Sequence, residues 1–234
     1  MPTAIITGGS RGLGLALARA LADRGWNLVL DARGADALHA AVEELAATTE
    51  VVAVPGDVAD PSHRSALVEA ARSLGGPDLL VNNASLLGPS PQPPLADYPL
   101  DVFRTVYEVN VTAPLALIQQ ALPFLAQSPQ GRILNVTSDA GVEGYEGWGG
   151  YGSSKAALEQ LSKVLAAEQP QLKVWWVDPG DMNTRMHQEA YPGEDISDRP
   201  PPEESIPGLL KLIDEDRPSG RYQARSLVEE EPSS

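Results

Sequence analysis

Four side chains of different chemistry, Asn110, Ser138, Tyr151 and Lys155, share a chain with the turn Thr7-Gly8-Gly9-Ser10-Arg11-Gly12-Leu13-Gly14, which directly follows an apolar strand pattern. A phenol, with a pKa of about 10, is a poor acid or base near neutrality unless nearby positive charge stabilises its phenolate. Lys155 stands four residues after Tyr151, one turn along the same helix face, and no other tyrosine has a lysine at that distance. The lysine could also hydrogen-bond the ribose hydroxyls of a bound nucleotide, coupling its position to proton transfer. Ser138 follows the apolar run Ile133-Leu134-Asn135-Val136, so its hydroxyl falls at a strand's carboxyl end. Ser138 and Tyr151 could then hold one carbonyl oxygen and stabilise its charge as hydride arrives, with Tyr151 delivering the proton. In the turn, Gly8, Gly12 and Gly14 let main-chain N–H groups approach a pyrophosphate at a helix N-terminus. Each feature alone has a plain structural explanation: glycine for backbone freedom, and a chance Tyr-Lys pair on a surface helix. Their conjunction points to nucleotide-dependent redox chemistry.

Those residues need a scaffold, and apolar runs alternate with helical patterns from the first residue onward. Strands are predicted at Ala4–Thr7, Asn27–Leu30, Val51–Val54, Leu79–Val81, Ile133–Val136 and Val174–Val177, mostly continuous apolar runs as in a parallel sheet covered on both faces. Helices are predicted at Gly12–Arg24, Ala35–Ala47, Pro61–Leu74, Leu100–Val109, Thr112–Ala126, Gly152–Glu168 and Glu203–Asp214. The fold class expected is α/β: a Rossmann-type doubly wound parallel sheet of about seven strands, helices on both faces, ligands beyond the strands' carboxyl ends. Residues 183–202 lack periodicity and collect Pro192, Pro200, Pro201 and Pro202 with several acids, the pattern of a long loop suited to a substrate lid. One domain is expected over residues 1–226, with 227–234 an acidic, solvated tail.

The formal charge of −15 and pI near 4.5 argue against nucleic acid or an anionic membrane as partner. With no cysteine, disulfides, thiolate metal sites and cysteine nucleophiles are excluded. Three scattered histidines suggest no metal site. No apolar run reaches membrane-spanning length and no leader pattern opens the chain, so a cytoplasmic protein is expected.

Near the cofactor, Asp57, with Val58 beside it, is placed to accept a hydrogen bond from an adenine amino group, and Asn82-Asn83-Ala84 to line the adenosine. In this order (Thr7-Gly8-xxx-Gly12-x-Gly14, Asp57, Asn82-Asn83-Ala84, Asn110, Ser138, Tyr151-xxx-Lys155, Pro179-Gly180 and Thr184) the motifs resemble those of the classical short-chain dehydrogenases/reductases, from Thr3 to about Tyr222. The resemblance implies an NAD(P)-dependent reductase or dehydrogenase acting on a ketone or secondary alcohol. It also implies that Thr7, Gly8, Ser10, Arg11, Gly12, Leu13, Gly14, Asn83 and Ala84 hold the dinucleotide with Tyr151 and Lys155, that Pro179-Gly180 packs near the nicotinamide, and that Thr184 contacts its carboxamide. Asn110 would hold a water joining Lys155 to solvent; by itself it reads as a helix-junction cap. Two departures stand out. Ser85 occupies the place of the usual glycine after Asn-Asn-Ala, and the usual Asp-Gly-Gly ending is missing after Ser219-Gly220-Arg221-Tyr222.

A carboxylate at the end of the second strand favours a ribose hydroxyl, a guanidinium the extra phosphate of NADP. Arg11 and Arg33 resemble the basic pair of the family's NADPH-preferring members. The NAD-selecting acid would fall at Ala32, so Asp31 is expected to point elsewhere, and NADP(H) is expected over NAD(H). Tyr145, Trp148, Met186 and His187 are candidates to line a substrate pocket. Two other readings fit the same residues: reduction of an imine or activated alkene, and a non-catalytic nucleotide-binding regulatory protein. Apolar residues surround much of Thr112–Ala126 and of the helix after Tyr151, and the resemblance implies a homodimer or homotetramer packed through them.

Overall fold

The computed structural model describes residues 1–215 and 217–229. Seven strands form one sheet: β1 (Thr3–Ile6), β2 (Asn27–Ala32), β3 (Val51–Pro55), β4 (Leu79–Asn82), β5 (Arg132–Val136), β6 (Lys173–Asp178) and β7 (Gly220–Gln223). Their order is β3-β2-β1-β4-β5-β6-β7, with every neighbouring pair parallel. Successive strand residues point to opposite faces, and this alternation divides the core in two. Ala4, Ile6, Leu28, Leu30, Val81, Leu134, Trp175 and Val177 pack against α1 (Gly12–Ala22), α2 (Ala35–Leu45) and α8 (Ile206–Asp214). On the other face Ile5, Val29, Leu80, Ile133 and Val174 meet α3 (Pro61–Ser73) and α5 (Ala113–Leu125). Because both faces are covered, most strands read as unbroken apolar runs.

The chain leaves β1 in one direction along the sheet and returns to β4 on the other side, so a crevice opens between the carboxyl ends of these two strands. Thr7 closes its floor. Its N–H donates to Val81 O at 3.0 Å, and its hydroxyl accepts from the N–H groups of Asn83 and Ala84, both at 3.0 Å.

Four local features differ from the sequence reading. The expected helix at Leu100–Val109 ends as α4 (Leu100–Tyr107), and a π-turn over Glu108–Thr112 leads into α5. Such a turn inserts a residue into the helical ladder, and here it carries Asn110 into the interior. Residues 183–202 are not loop throughout, because α7 (Arg185–Ala190) starts at Thr184, whose hydroxyl accepts from the N–H of His187 at 3.3 Å. α6 (Gly149–Glu168) starts three residues earlier than expected. The supposed tail begins as α9 (Ala224–Glu229), in which Leu227 is buried in the core and its carbonyl accepts from Lys211 Nζ at 2.9 Å. A tail starting at 227 is therefore corrected; the remainder, 230–234, lies outside the described residues. Among the described residues no helix is long and apolar enough to cross a membrane.

Candidate functional site

A cleft of about 790 Å³ runs along the carboxyl edge of the sheet. Of the expected site residues, Gly8, Ser10, Arg11, Gly12, Leu13, Arg33, Asp57, Val58, Asn83, Ala84, Ser138, Tyr151, Lys155, Pro179, Gly180 and Thr184 line it. Thr7, Gly14 and Asn110 are buried behind its wall rather than part of its lining. Thr7 is spent on the Asn83-Ala84 loop, and Gly14 is buried beneath the turn.

The turn's shape explains its glycines. Gly8 and Gly12 have φ of +68° and +55°, in the left-handed region that glycine tolerates best. Gly14 is required by contact: a methyl added there would stand 2.4 Å from Gly8 O and 2.7 Å from Asn83 Nδ2. Asn83 Nδ2 itself donates to Thr7 O at 2.8 Å, so the turn is clamped to the β4 end. The cradle and the length of the cleft fit a dinucleotide. Asp57 accepts from the N–H of Ala59 at 2.9 Å, which fixes its carboxylate at the rim.

Asp31 is turned inward. Its Oδ1 accepts from the Gly8 N–H at 2.6 Å and its Oδ2 meets His63 Nε2 at 2.9 Å, both residues being buried. The carboxylate at the end of β2 therefore organises the glycine turn. Arg11 and Arg33 line this part of the cleft and have no carboxylate partner among the described residues, whereas neighbouring Arg19 is paired with Glu44.

At the other end, Tyr151 and Lys155 are both buried on α6. The Lys155 ammonium donates to Val136 O at 2.8 Å and lies over the Tyr151 ring, 5.4 Å from its centre. Burial drives the lysine down to about 8, while burial pushes the Tyr151 hydroxyl well above the ordinary phenol range. The hydroxyl of Ser85 opposes that rise, the carboxylates of Asp178 and Asp139 add to it, and the Ser138 hydroxyl opposes it too. Ser138 Oγ donates to Asp139 Oδ1 at 2.9 Å. Asn110 makes four hydrogen bonds: Oδ1 accepts from Ser85 Oγ (3.1 Å) and Leu86 N (2.8 Å), and Nδ2 donates to Leu86 O and Ser154 Oγ (both 2.9 Å). These bonds saturate the side chain and tie the π-turn to Leu86 and to α6 rather than capping a helix end.

Sequence reasoning missed a layer beneath Ser138. Buried Glu159, one turn after Lys155, accepts from Thr137 Oγ1 at 2.8 Å and from Arg221 Nε at 3.0 Å. Arg221, on β7, also reaches Ser138 O at 3.3 Å and Asp178 Oδ2 at 3.6 Å. Burial raises Asp178, and Arg221 counters that. The repeat Tyr151, Lys155, Glu159 along one helix face was the available signal for Glu159; nothing in the sequence pointed from there to Arg221. On the open side, Leu87, Trp148, Met186, His187 and Ala190 form the wall, with Trp148 edge-on to Tyr151 at 5.8 Å. Tyr145 does not line the cleft; its hydroxyl donates to Asp139 Oδ2 at 3.0 Å. No group of three or more potential metal ligands occurs among the described residues.

Comparisons with known proteins agree with this geometry. The family model described as short chain dehydrogenase matches residues 2–195. The rhamnolipids biosynthesis 3-oxoacyl-[acyl-carrier-protein] reductase of Pseudomonas aeruginosa is 36% identical over 192 residues, covering 78% of this chain and 73% of the relative. Sepiapterin reductase of Rattus norvegicus is 34% identical over 199 residues, 80% of this chain and 76% of the relative. Among solved structures, a short chain dehydrogenase of Shigella flexneri complexed with NADP superposes with a TM-score of 0.89 at 28% identity, covering 96% of this chain and 97% of that one.

Proposed function

The chain belongs to the short-chain dehydrogenase family, and from that premise we propose that it is an NADP(H)-dependent carbonyl reductase, reversible as an alcohol dehydrogenase. The observation that carries this reading is the convergence of Ser138, Tyr151 and Lys155 with the glycine cradle on one cleft. When bound, the nicotinamide supplies or accepts the hydride. Ser138 and Tyr151 orient the substrate oxygen, and Tyr151 moves the proton at Oη. Lys155, already over the ring, stabilises the phenolate that remains. The preference for NADP rests on inward-turned Asp31 and on the guanidinium groups of Arg11 and Arg33, which have no carboxylate partner among the described residues. Residues 184–191, which carry Met186, His187 and Ala190, are the part of the wall suited to act as a substrate lid.

The test is a fluorescence titration with NADPH and NADH, repeated on Arg33→Ala, followed by a ketone panel with Tyr151→Phe as control. We expect NADPH to bind more tightly, with about tenfold weakening in Arg33→Ala. Turnover should fall about 1,000-fold in Tyr151→Phe. If neither nucleotide binds, the reading is rejected.

Self-association is proposed through α5 and α6, where the apolar side chains of Leu115 and Val164 are exposed. Light scattering should then return at least twice the chain mass, and Leu115→Glu combined with Val164→Glu should return the monomer.

A further inference from the structure

The carboxylate of Asp31 holds the glycine turn, and what holds the carboxylate is His63. Side-chain alternation along β2 places Asp31 on the face of Val29, which packs toward α3. His63 is the third residue of that helix and meets Asp31 Oδ2 through Nε2 at 2.9 Å, while Oδ1 accepts from the Gly8 N–H at 2.6 Å. Both side chains are buried. The imidazole is itself fixed. Asp60 caps α3 by accepting from the Ser62 N–H at 2.8 Å, and Arg64 Nη1 donates to Val58 O at 2.6 Å, so the start of the helix is tied to the loop before it. The ring lies against Gly56, where an added methyl would collide with Nδ1, so residue 56 leaves it its place. One rigid path therefore runs from α3 through His63 and Asp31 to the first glycine of the turn. The main chain supplies a second tie, from the Gly9 N–H to Asp31 O at 2.8 Å, and that one does not need the imidazole. Loss of His63 thus loosens the turn without detaching it from β2.

We propose that His63 is a positioning residue for the dinucleotide: it fixes Asp31 Oδ1 on the Gly8 N–H and so keeps the glycine turn in its binding shape before the cofactor arrives. The inference rests on the reading of the cleft as an NADP(H) site. Without Nε2 the buried Oδ2 loses its partner, and the carboxylate turns or admits water to regain one. Either response draws Oδ1 off Gly8, and the turn then populates other shapes. A cofactor that binds one shape has its apparent affinity reduced by the fraction of protein in that shape. Chemistry is untouched, because Ser138, Tyr151 and Lys155 stand as before once the turn has closed on the cofactor.

The test compares His63→Asn with His63→Gln in the full-length protein. Both are neutral amides, but the longer Gln carries its N–H to about the place of Nε2, whereas Asn holds it near Nδ1, short of Oδ2. His63→Leu, apolar and of similar bulk, takes the place of His63→Asn should that variant not fold. The readouts are NADPH affinity by fluorescence titration and kcat at saturating NADPH on a ketone that the unaltered enzyme reduces. We expect affinity about tenfold weaker in His63→Asn, affinity within about threefold of the starting value in His63→Gln, and kcat within about twofold in both. Asp31→Ala should weaken NADPH about as much as His63→Asn, and the two changes together no more than either alone, because they cut one path. Unchanged NADPH affinity in His63→Asn overturns the proposal and leaves the NADP(H) reading intact. Equal losses in affinity and kcat, failure of His63→Gln to restore binding, or additive losses in the double variant overturn it as well, since each gives His63 a merely structural part. The affinities need no substrate, so they decide the matter even where no ketone is reduced. If the unaltered protein binds no nicotinamide nucleotide, the underlying reading fails and the proposal falls with it.

Discussion

At the dinucleotide end of the cleft the positions are set by backbone: two left-handed glycines, a third that leaves no space for a methyl, and a strand-end carboxylate gripping the N–H of Gly8. At the carbonyl end they are set by side chains drawn from four separate stretches: Ser85 after β4, Asn110 in a π-turn, Ser138 after β5, and Tyr151 with Lys155 on α6. Backbone geometry is local, so a change there acts at once on fold and binding together. Side-chain geometry is assembled over long sequence distances, so single changes alter turnover while the cleft persists. Three substitutions can break or sharpen this contrast.

The largest effect is expected from Gly14→Ala. Its added methyl would press on Gly8 O and Asn83 Nδ2, which are main chain and a clamped amide rather than flexible side-chain ends. Relief requires the turn to leave β4. We expect about 3 kcal/mol lower stability by chemical denaturation and NADPH affinity weakened more than about 100-fold. Unchanged affinity would show that the turn's shape is not what holds the cofactor.

This division also explains what the sequence disclosed. Six strands, the glycine turn and the Tyr151-Lys155 pair are written in contiguous residues, through period, composition or i,i+4 spacing. Asp31 was placed elsewhere than the ribose from its offset in β2, but its partner His63 lies 32 residues on, and no local signal joins them. The sequence marked a junction between Val109 and Thr112 but not that the chain crosses it as a continuous π-turn, because the groups that hold Asn110 there, Leu86 and Ser154, lie on other segments. α7 was hidden among prolines and acids, being short and capped by a single threonine. The helix after Gln223 was masked by the run of acids that follows it, although Leu227 is an apolar residue with a place in the core.

Lys155 stands where the two ends meet, and its burial makes a pH signature. Its pKa falls from 10.5 when unfolded to about 8 when folded, so in the cofactor-free protein both states are protonated below pH 8 and the folded state bears the full penalty of a buried ammonium. Between about 8 and 10.5 the folded state releases the proton while the unfolded state retains it, so stability rises with pH. Lys155→Met should therefore be more stable than the starting protein at pH 7, and that advantage should shrink by about 2 to 3 kcal/mol by pH 10. Urea denaturation of both proteins at each pH measures it. A pH-independent difference would mean that the ammonium is better solvated than its burial implies.

The smallest effect separates positioning from binding most cleanly. Arg221 sends Nε to Glu159 and Nη2 to the Ser138 carbonyl and toward Asp178, so one planar group fixes the peptide that carries the serine while offsetting two buried carboxylates. Arg221→Lys keeps the charge and loses the fork. Buried carboxylates left without a cation would cost several kcal/mol, but a lysine spares most of that, and stability should change by no more than about 1 kcal/mol. The Ser138 carbonyl loses its anchor, so kcat should fall about tenfold with NADPH affinity within twofold of the starting value. Equal losses in kcat and NADPH affinity would mean that β7 supports the whole cleft, and the contrast between its two ends would not extend to this strand. A selective loss of kcat would extend it: in this chain, whose ending departs from the Asp-Gly-Gly pattern, the last strand serves the carbonyl end through a single arginine.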